Sequence, residues 1–544
     1  MKFKYIWLFT LLIGFISCEE IDSPIPEEVV LPELTSGSAD FSNYVAVGAS
    51  FTAGFTDNGL FIASQENSFP NTLSKQFSKL GGGTFKQPLM VDNTGGILVG
   101  GNVVRSYRLT FNADIPGPQP LDEFLTELGA PVPPITTEAG VSIGSDFNNF
   151  GIPAAKSWHL ITPGYAGLNP FYARIASAPT ATVLDDAMAQ NPTFFTLSEI
   201  GGNDVLGYAT SGGDGSNMIT PVDGPSGVGF SATFETLVTT LTSNGAKGVV
   251  TNVPNITDLP HFTTVPFAPL SPANPDFGPQ IPTLNGVFGQ LNQVFAFLES
   301  QGIPNATERQ ITFSETEASA VVIHDENLAN LATNIADVLK GSPTFTALVQ
   351  SFGLPEAAAP QVATLFGLVY GQARQANEND LLLLPSSSII GTVNTTTLAF
   401  LMSQGLSQQV AGQFSAEGIT LPLADKWVLL PSEQAEIKTA TEAYNATIGS
   451  VATSNENIAL VDLNAILNRT ATTGIDFDGF NLTADLVFGG AISLDGIHLN
   501  ARGYAYMANK FLEAIDENFG SNFIASGNVA KANDFPTNYS PTLQ

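Results

Sequence analysis

The sequence predicts an α/β protein, a three-layer fold with a parallel sheet and a large, mainly helical insertion. Two patterns carry this. Short continuous apolar runs that end at Gly or Pro alternate with segments whose apolar residues recur at helical spacing, as strand–helix–strand crossovers require. Between Pro260 and Ala424 the strand signal weakens and apolar helical patterns dominate.

In chain order, residues 43–48 (NYVAVG) read as a buried strand entering a turn. Residues 68–80 have helical spacing, with Leu73, Phe77 and Leu80 on one face. Residues 83–147 are rich in Gly, Pro and Asn and read as an elaborated loop region. Residues 149–155 (NFGIPAA) read as a Gly/Pro loop, and 192–200 (PTFFTLSEI) as a second buried strand ending at Gly201-Gly202. A helix over 230–244 precedes a third strand, 248–254 (GVVTNVP). The stretches 284–298, 327–339 and 359–375 are helical patterns of the insertion; they suit either a helical subdomain core or a lid over a groove. A helix over 432–448, a fourth strand over 458–463 (IALVDL) and a last helix over 501–519, with Tyr504, Met507, Phe511 and Ile515 in register, complete the pattern.

Composition narrows the function. With 19 Lys+Arg against 50 Asp+Glu the formal charge is −31, which excludes a basic surface for neutralising nucleic-acid phosphates. Cys18 is the single cysteine, so neither an internal disulfide nor a cysteine-based zinc site can form. His159, His261, His324 and His498 lie far apart without ligand spacing, and neither metal nor cofactor is expected. His261 follows the third strand and reads as a structural or solvated histidine at the cleft rim. The acidic 476–479 turn lacks the further ligands of a calcium loop.

The first 18 residues carry Lys2 and Lys4, then an apolar run too short to span a bilayer, then Ser17-Cys18. This resembles the lipobox of bacterial lipoproteins, in which Cys18 becomes the lipidated N-terminus; Phe15 departs from the usual Leu. Residues 19–40 are acidic and Pro-rich and read as a tether.

Four short blocks carry chemistry. Gly48-Ala49-Ser50 can present a hydroxyl at the carboxyl end of a strand, where open α/β sheets bind ligands. The 149–155 loop can point backbone N–H groups into a cleft. Asn203, in Gly201-Gly202-Asn203-Asp204, can offer an amide to a developing oxyanion. In Asp495-Gly496-Ile497-His498 the carboxylate can hold the imidazole Nδ1–H and leave Nε2 as a base.

In this order the blocks resemble the SGNH, or GDSL, hydrolase family. GASFTAGF (48–55) is similar to its first block, 149–154 to its Asn-x-Gly loop, 201–204 to GxND and 495–498 to DxxH. The ending GGAISLDGIHLNARGYAYMAN resembles the large Bacteroidetes lipoprotein members. The resemblance implies a three-layer α/β/α, flavodoxin-like SGNH fold, with the hydrolase domain at 41–260 and 425–520, the insertion at 261–424 and a surface tail at 521–544. It implies Ser50 as nucleophile, His498 as general base and Asp495 as its orienting partner. The oxyanion hole would comprise the Ser50 N–H, the Asn203 amide and a backbone N–H from Ala154, with Gly151 the other choice in that loop. Two departures stand out: Ala49 replaces the family's Asp, and Ala154 replaces a Gly.

The implied activity is hydrolysis of a small-molecule, lipid or glycan ester, outside the cytoplasm. Attachment to the outer membrane, on its periplasmic or cell-surface face, would be through the lipid anchor alone. An acyltransferase using the same residues and a non-catalytic surface binding lipoprotein are the alternatives.

Overall fold

Five strands form one parallel sheet: β1 (Tyr44–Gly48), β2 (Asn149–Gly151), β3 (Phe194–Ser198), β4 (Lys247–Thr251) and β5 (Ile458–Val461). Their spatial order is β5-β4-β3-β1-β2. The computed structural model describes residues 31–114 and 117–543, so Cys18, the leader and tether residues 19–30 lie outside the described residues.

The strands are apolar throughout because both sheet faces are covered. Val45, Val47, Phe195 and Leu197 point to one face, and Tyr44, Ala46 and Phe194 to the other. The first face packs on α3 (Gly202–Thr210), α4 (Phe230–Thr242) and α5 (Pro431–Ser454) through Val205, Phe234, Leu237, Ile437 and Tyr444. The second packs on α2 (Phe69–Phe77), the start of α6 (Leu463–Thr472) and α7 (Ala501–Phe519) through Leu73, Phe77, Leu463, Met507, Phe511 and Ile515. On α7 these residues recur every three to four positions and form one buried stripe.

Three expectations change outside the insertion. The 149–155 loop begins with strand β2, whose residues pair with Ala46, Val47 and Gly48 of β1. Three residues, one of them Gly, give no strand periodicity; the pairing comes from the neighbour. The 83–147 region contains the antiparallel pairs Ile97–Val99 with Asn102–Arg105 and Leu109–Asn112 with Gly117–Pro120, and the helix Leu121–Glu127. The 521–543 part of the expected surface tail packs on the core. Phe523 and Ala532 are fully buried, and Arg108 donates to the Ser540 carbonyl at 2.7 Å. Apolar residues too sparse to show a period still fill gaps in a core built elsewhere.

The insertion has an apolar core of its own, with Phe288, Leu291, Ile335 and Phe366 at its centre. Its helices include Ile281–Ser300, Ala332–Lys340 and Ala359–Tyr370. Residues 373–375, expected to continue the last helix, pair instead with Val322–His324 as an antiparallel strand. The pair Leu381–Leu382 with Val428–Leu429 joins the insertion to the segment leading into α5.

Candidate functional site

The strand order reverses between β1 and β3, and in doubly wound sheets the crevice at the carboxyl ends of such strands is where ligands bind. Ser50 directly follows the β1 turn and opens the short helix α1 (Ser50–Ala53). Asn203 follows β3, in the first turn of α3. Topology alone therefore sets Ser50 and Asn203 on the two sides of this crevice. Gly201 makes the β3 turn possible: its φ is +104°, and a Cβ there would lie 2.6 Å from Val253 Cγ2.

The 493–500 loop, just ahead of α7, brings His498 to the same crevice. Asp495 Oδ2 lies 2.8 Å from His498 Nδ1. Its Oδ1 accepts the backbone N–H groups of Ile497 and His498 and the Ser493 hydroxyl, each at 2.9 Å. Burial would raise the Asp495 carboxyl, but the His498 ring and these donors hold it well below the usual carboxylate range. An ionised Asp495 takes the Nδ1 proton as its hydrogen-bond donor, which leaves the Nε2 lone pair free. The Phe55 ring, 4.7 Å from the imidazole centroid to centroid, and the Phe51 ring, 5.9 Å away, fix its plane.

The second block lies beside α1. Gly151 packs so closely that a Cβ would fall 2.2 Å from the Ala53 nitrogen. Its N–H donates to Asn149 Oδ1 at 2.9 Å, so it is already spent and Gly151 is not a free oxyanion donor. Ala154 is exposed, has a φ of +65°, and its N–H has no acceptor among the described residues. The loop is tied to the third block: Asn203 Nδ2 donates to the Ala155 carbonyl at 2.9 Å, and buried Asp204 accepts the Ser157 N–H and hydroxyl at 2.8 and 2.7 Å. One hydrogen of the Asn203 amide remains for a ligand. The Ser50 N–H likewise has no acceptor among the described residues.

Ser50, Asn203 and His498 line one cavity of about 100 Å3, whose remaining wall is mostly apolar and includes Leu206, Leu259, Leu467 and Ile492. The Ser50 hydroxyl makes no hydrogen bond among the described residues. No wall residue of this cavity comes from the insertion, 261–424. His261 is buried rather than at a rim; its N–H donates to the Gly496 carbonyl at 3.0 Å and braces the Asp495 turn from behind.

Four residues with a part in this arrangement escape a motif-level reading. Asp57 and Asn58, both at positive φ, dock on the 493–495 loop, Asp57 through Ser493 and the Leu494 N–H, Asn58 through Asp495. Their signal is the turn-forming TDNG run directly after the first block. Glu199 is the fourth; its signal is a lone charge closing an otherwise uncharged buried run. The 476–479 turn joins the strands Ile475–Phe477 and Phe480–Leu482, and Asp478 accepts the Ala532 N–H at 2.8 Å.

No protein-family model, curated protein or solved structure matches this chain.

Proposed function

We propose that this chain is a serine esterase of the SGNH type, hydrolysing carboxylic esters through an acyl-enzyme. The observation that carries this is the convergence of Ser50, Asn203 and the Asp495–His498 pair on one cavity at the strand-order reversal. The resemblance of the four blocks and the helices on both sheet faces favour the three-layer SGNH fold.

The chemistry follows from the positions. Ser50 Oγ attacks the ester carbonyl as His498 Nε2 takes its proton. The oxyanion is held by the Ser50 N–H, the Ala154 N–H and the Asn203 amide. Collapse expels the alcohol, which takes the proton from His498. Water then attacks the acyl-enzyme with His498 again as base, and the acid leaves. In this mechanism the Ser50 hydroxyl turns towards Nε2 when substrate fills the cavity; such bonds commonly tighten only in the complex. The apolar walls favour an acyl group over a charged one.

Hydrolysis of p-nitrophenyl esters from acetate to palmitate by the purified protein tests this reading, with fluorophosphonate labelling as a second measurement. Turnover and labelling, both lost in Ser50→Ala, are expected. Silence in both measurements favours a non-catalytic binding lipoprotein, the second reading, for which the unbonded Ser50 hydroxyl and the left-handed Ala154 speak. Acyl transfer to added alcohol in excess of hydrolysis would favour the acyltransferase. The lipoprotein anchor at Cys18 is part of the proposal, and palmitate incorporation abolished by Cys18→Ala tests it. Among the described residues no helix is long and apolar enough to cross a membrane.

A further inference from the structure

Glu199 is a buried carboxyl beside the nucleophile that the mechanism above does not use. It is 7% exposed and follows β3 directly. Its φ of +56° is costly for a residue with a side chain, and such outliers persist where their surroundings over-determine them. The Phe51 N–H donates to both carboxyl oxygens, at 2.7 and 2.8 Å. Phe51 is the residue after Ser50, so this carboxyl sits on the first turn of α1. It also belongs to the wall of the cavity that Ser50 and His498 line.

The first N–H groups of a helix have no acceptor within it, and a side chain at the cap position usually supplies one. Here the cap residue is Ala49, which has none. The acceptor arrives instead from the neighbouring strand. Two consequences follow. The turn carrying Ser50 is fastened to the end of β3, the same end from which Asn203 projects, so nucleophile and amide donor are held to a common reference. The Phe51 N–H is also occupied, which leaves the Ser50 N–H as the unbonded amide of the two. Burial pushes the carboxyl well above its ordinary range, which favours the neutral form, and a neutral acid does not repel a developing oxyanion.

We propose that Glu199 is the positioning residue of the nucleophile, replacing from the adjacent strand the acceptor that position 49 lacks and fixing Ser50 against Asn203. The proposal depends on Ser50 being the nucleophile, and its test separates the two. The rate and stoichiometry of fluorophosphonate labelling are measured for the wild type, Glu199→Gln and Glu199→Ala, together with kcat and KM on p-nitrophenyl butyrate. For Glu199→Ala, labelling still reaches one probe per chain, but its rate and kcat fall on the order of 10²-fold with KM little changed, the scale that misplacing a reacting group carries. Glu199→Gln keeps one of the two acceptor oxygens and recovers only part of the rate, remaining severalfold below the wild type. A wild type that does not label overturns the esterase reading itself. A wild type that labels, with Glu199→Ala labelling equally fast, overturns the positioning role alone. If Glu199→Ala does not fold, Glu199→Gln decides: a severalfold loss in kcat at constant KM supports the role, and unchanged kcat overturns it.

Discussion

The backbone N–H of Asn58 donates to Asp495 Oδ2 at 2.9 Å, the same oxygen that lies 2.8 Å from the His498 ring. Asn58 stands eight residues after Ser50, so in the proposed mechanism the segment that presents the nucleophile also anchors the acid that orients the base. Ser493 extends the link, accepting the Asp57 N–H at 3.1 Å and donating to Asp495 Oδ1. Asp495 should therefore be indispensable and Ser493 merely helpful. Asp495→Asn should lower kcat by about 10³–10⁴, because the amide stabilises the wrong imidazole tautomer. Ser493→Ala removes one of several donors and should cost less than about tenfold. Steady-state kinetics on one soluble ester checks both.

Asn203 is held by the Ala155 carbonyl with one amide hydrogen to spare. Asn203→Ala should lower kcat by roughly 10²–10³ with little change in KM, since the lost bond forms to the oxyanion rather than to the substrate. A purified, folded variant with undiminished turnover would remove Asn203 from the oxyanion hole.

Ala154 occupies the left-handed region at φ +65°. That conformation costs an L-residue about 1–2 kcal/mol, while a glycine there loses about 0.5–1 kcal/mol of chain entropy on folding. Ala154→Gly should leave the melting temperature unchanged or raise it slightly, with kcat maintained. Ala154→Val should lower both. Thermal unfolding beside ester turnover separates strain from catalysis.

In the proposed esterase the apolar wall should set chain length. Leu467 and Ile492 line the cavity with Ser50. Ile492→Phe should reduce kcat/KM for longer acyl chains far more than for acetate, because only the longer chains reach the filled space. The ratio of rates across the p-nitrophenyl series is the readout; a uniform loss would mean that the acyl group binds elsewhere.

Asp57 is buried with Oδ2 unpartnered, and burial pushes its carboxyl from 3.8 up to about 7. The native state then holds this proton more tightly than the unfolded chain does. The stabilisation is fully present below about pH 4 and is lost as pH rises through about 7, a difference of roughly 4 kcal/mol. Between pH 4.5 and 7.5 the melting temperature of Asp57→Asn should therefore fall less than that of the wild type. Identical slopes would show that Asp57 is ionised throughout.

The runs YVAVG, FFTLS and IALV announce buried strands because both faces of a parallel sheet must be apolar, and α7 announces itself because its stripe recurs at 3.6 residues. The four chemical blocks are legible for a related reason: each places its reactive group next to a strand or helix end that local sequence already defines. What the chain's order of residues does not contain is pairing between distant segments. Strand β2 exists only because β1 supplies its partners, and Phe523 and Ala532 of the 521–543 stretch are buried only because the core leaves gaps for them. The same holds within the site. Whether Gly151 or Ala154 keeps a free N–H depends on where the Asn149 side chain points, which its bond to the Thr52 carbonyl of another segment sets, and the acceptor missing at Ala49 comes from Glu199, just after β3. Local periodicity decided the elements; hydrogen bonds such as that from Phe51 to Glu199, 148 residues apart, decided which groups remain free to act.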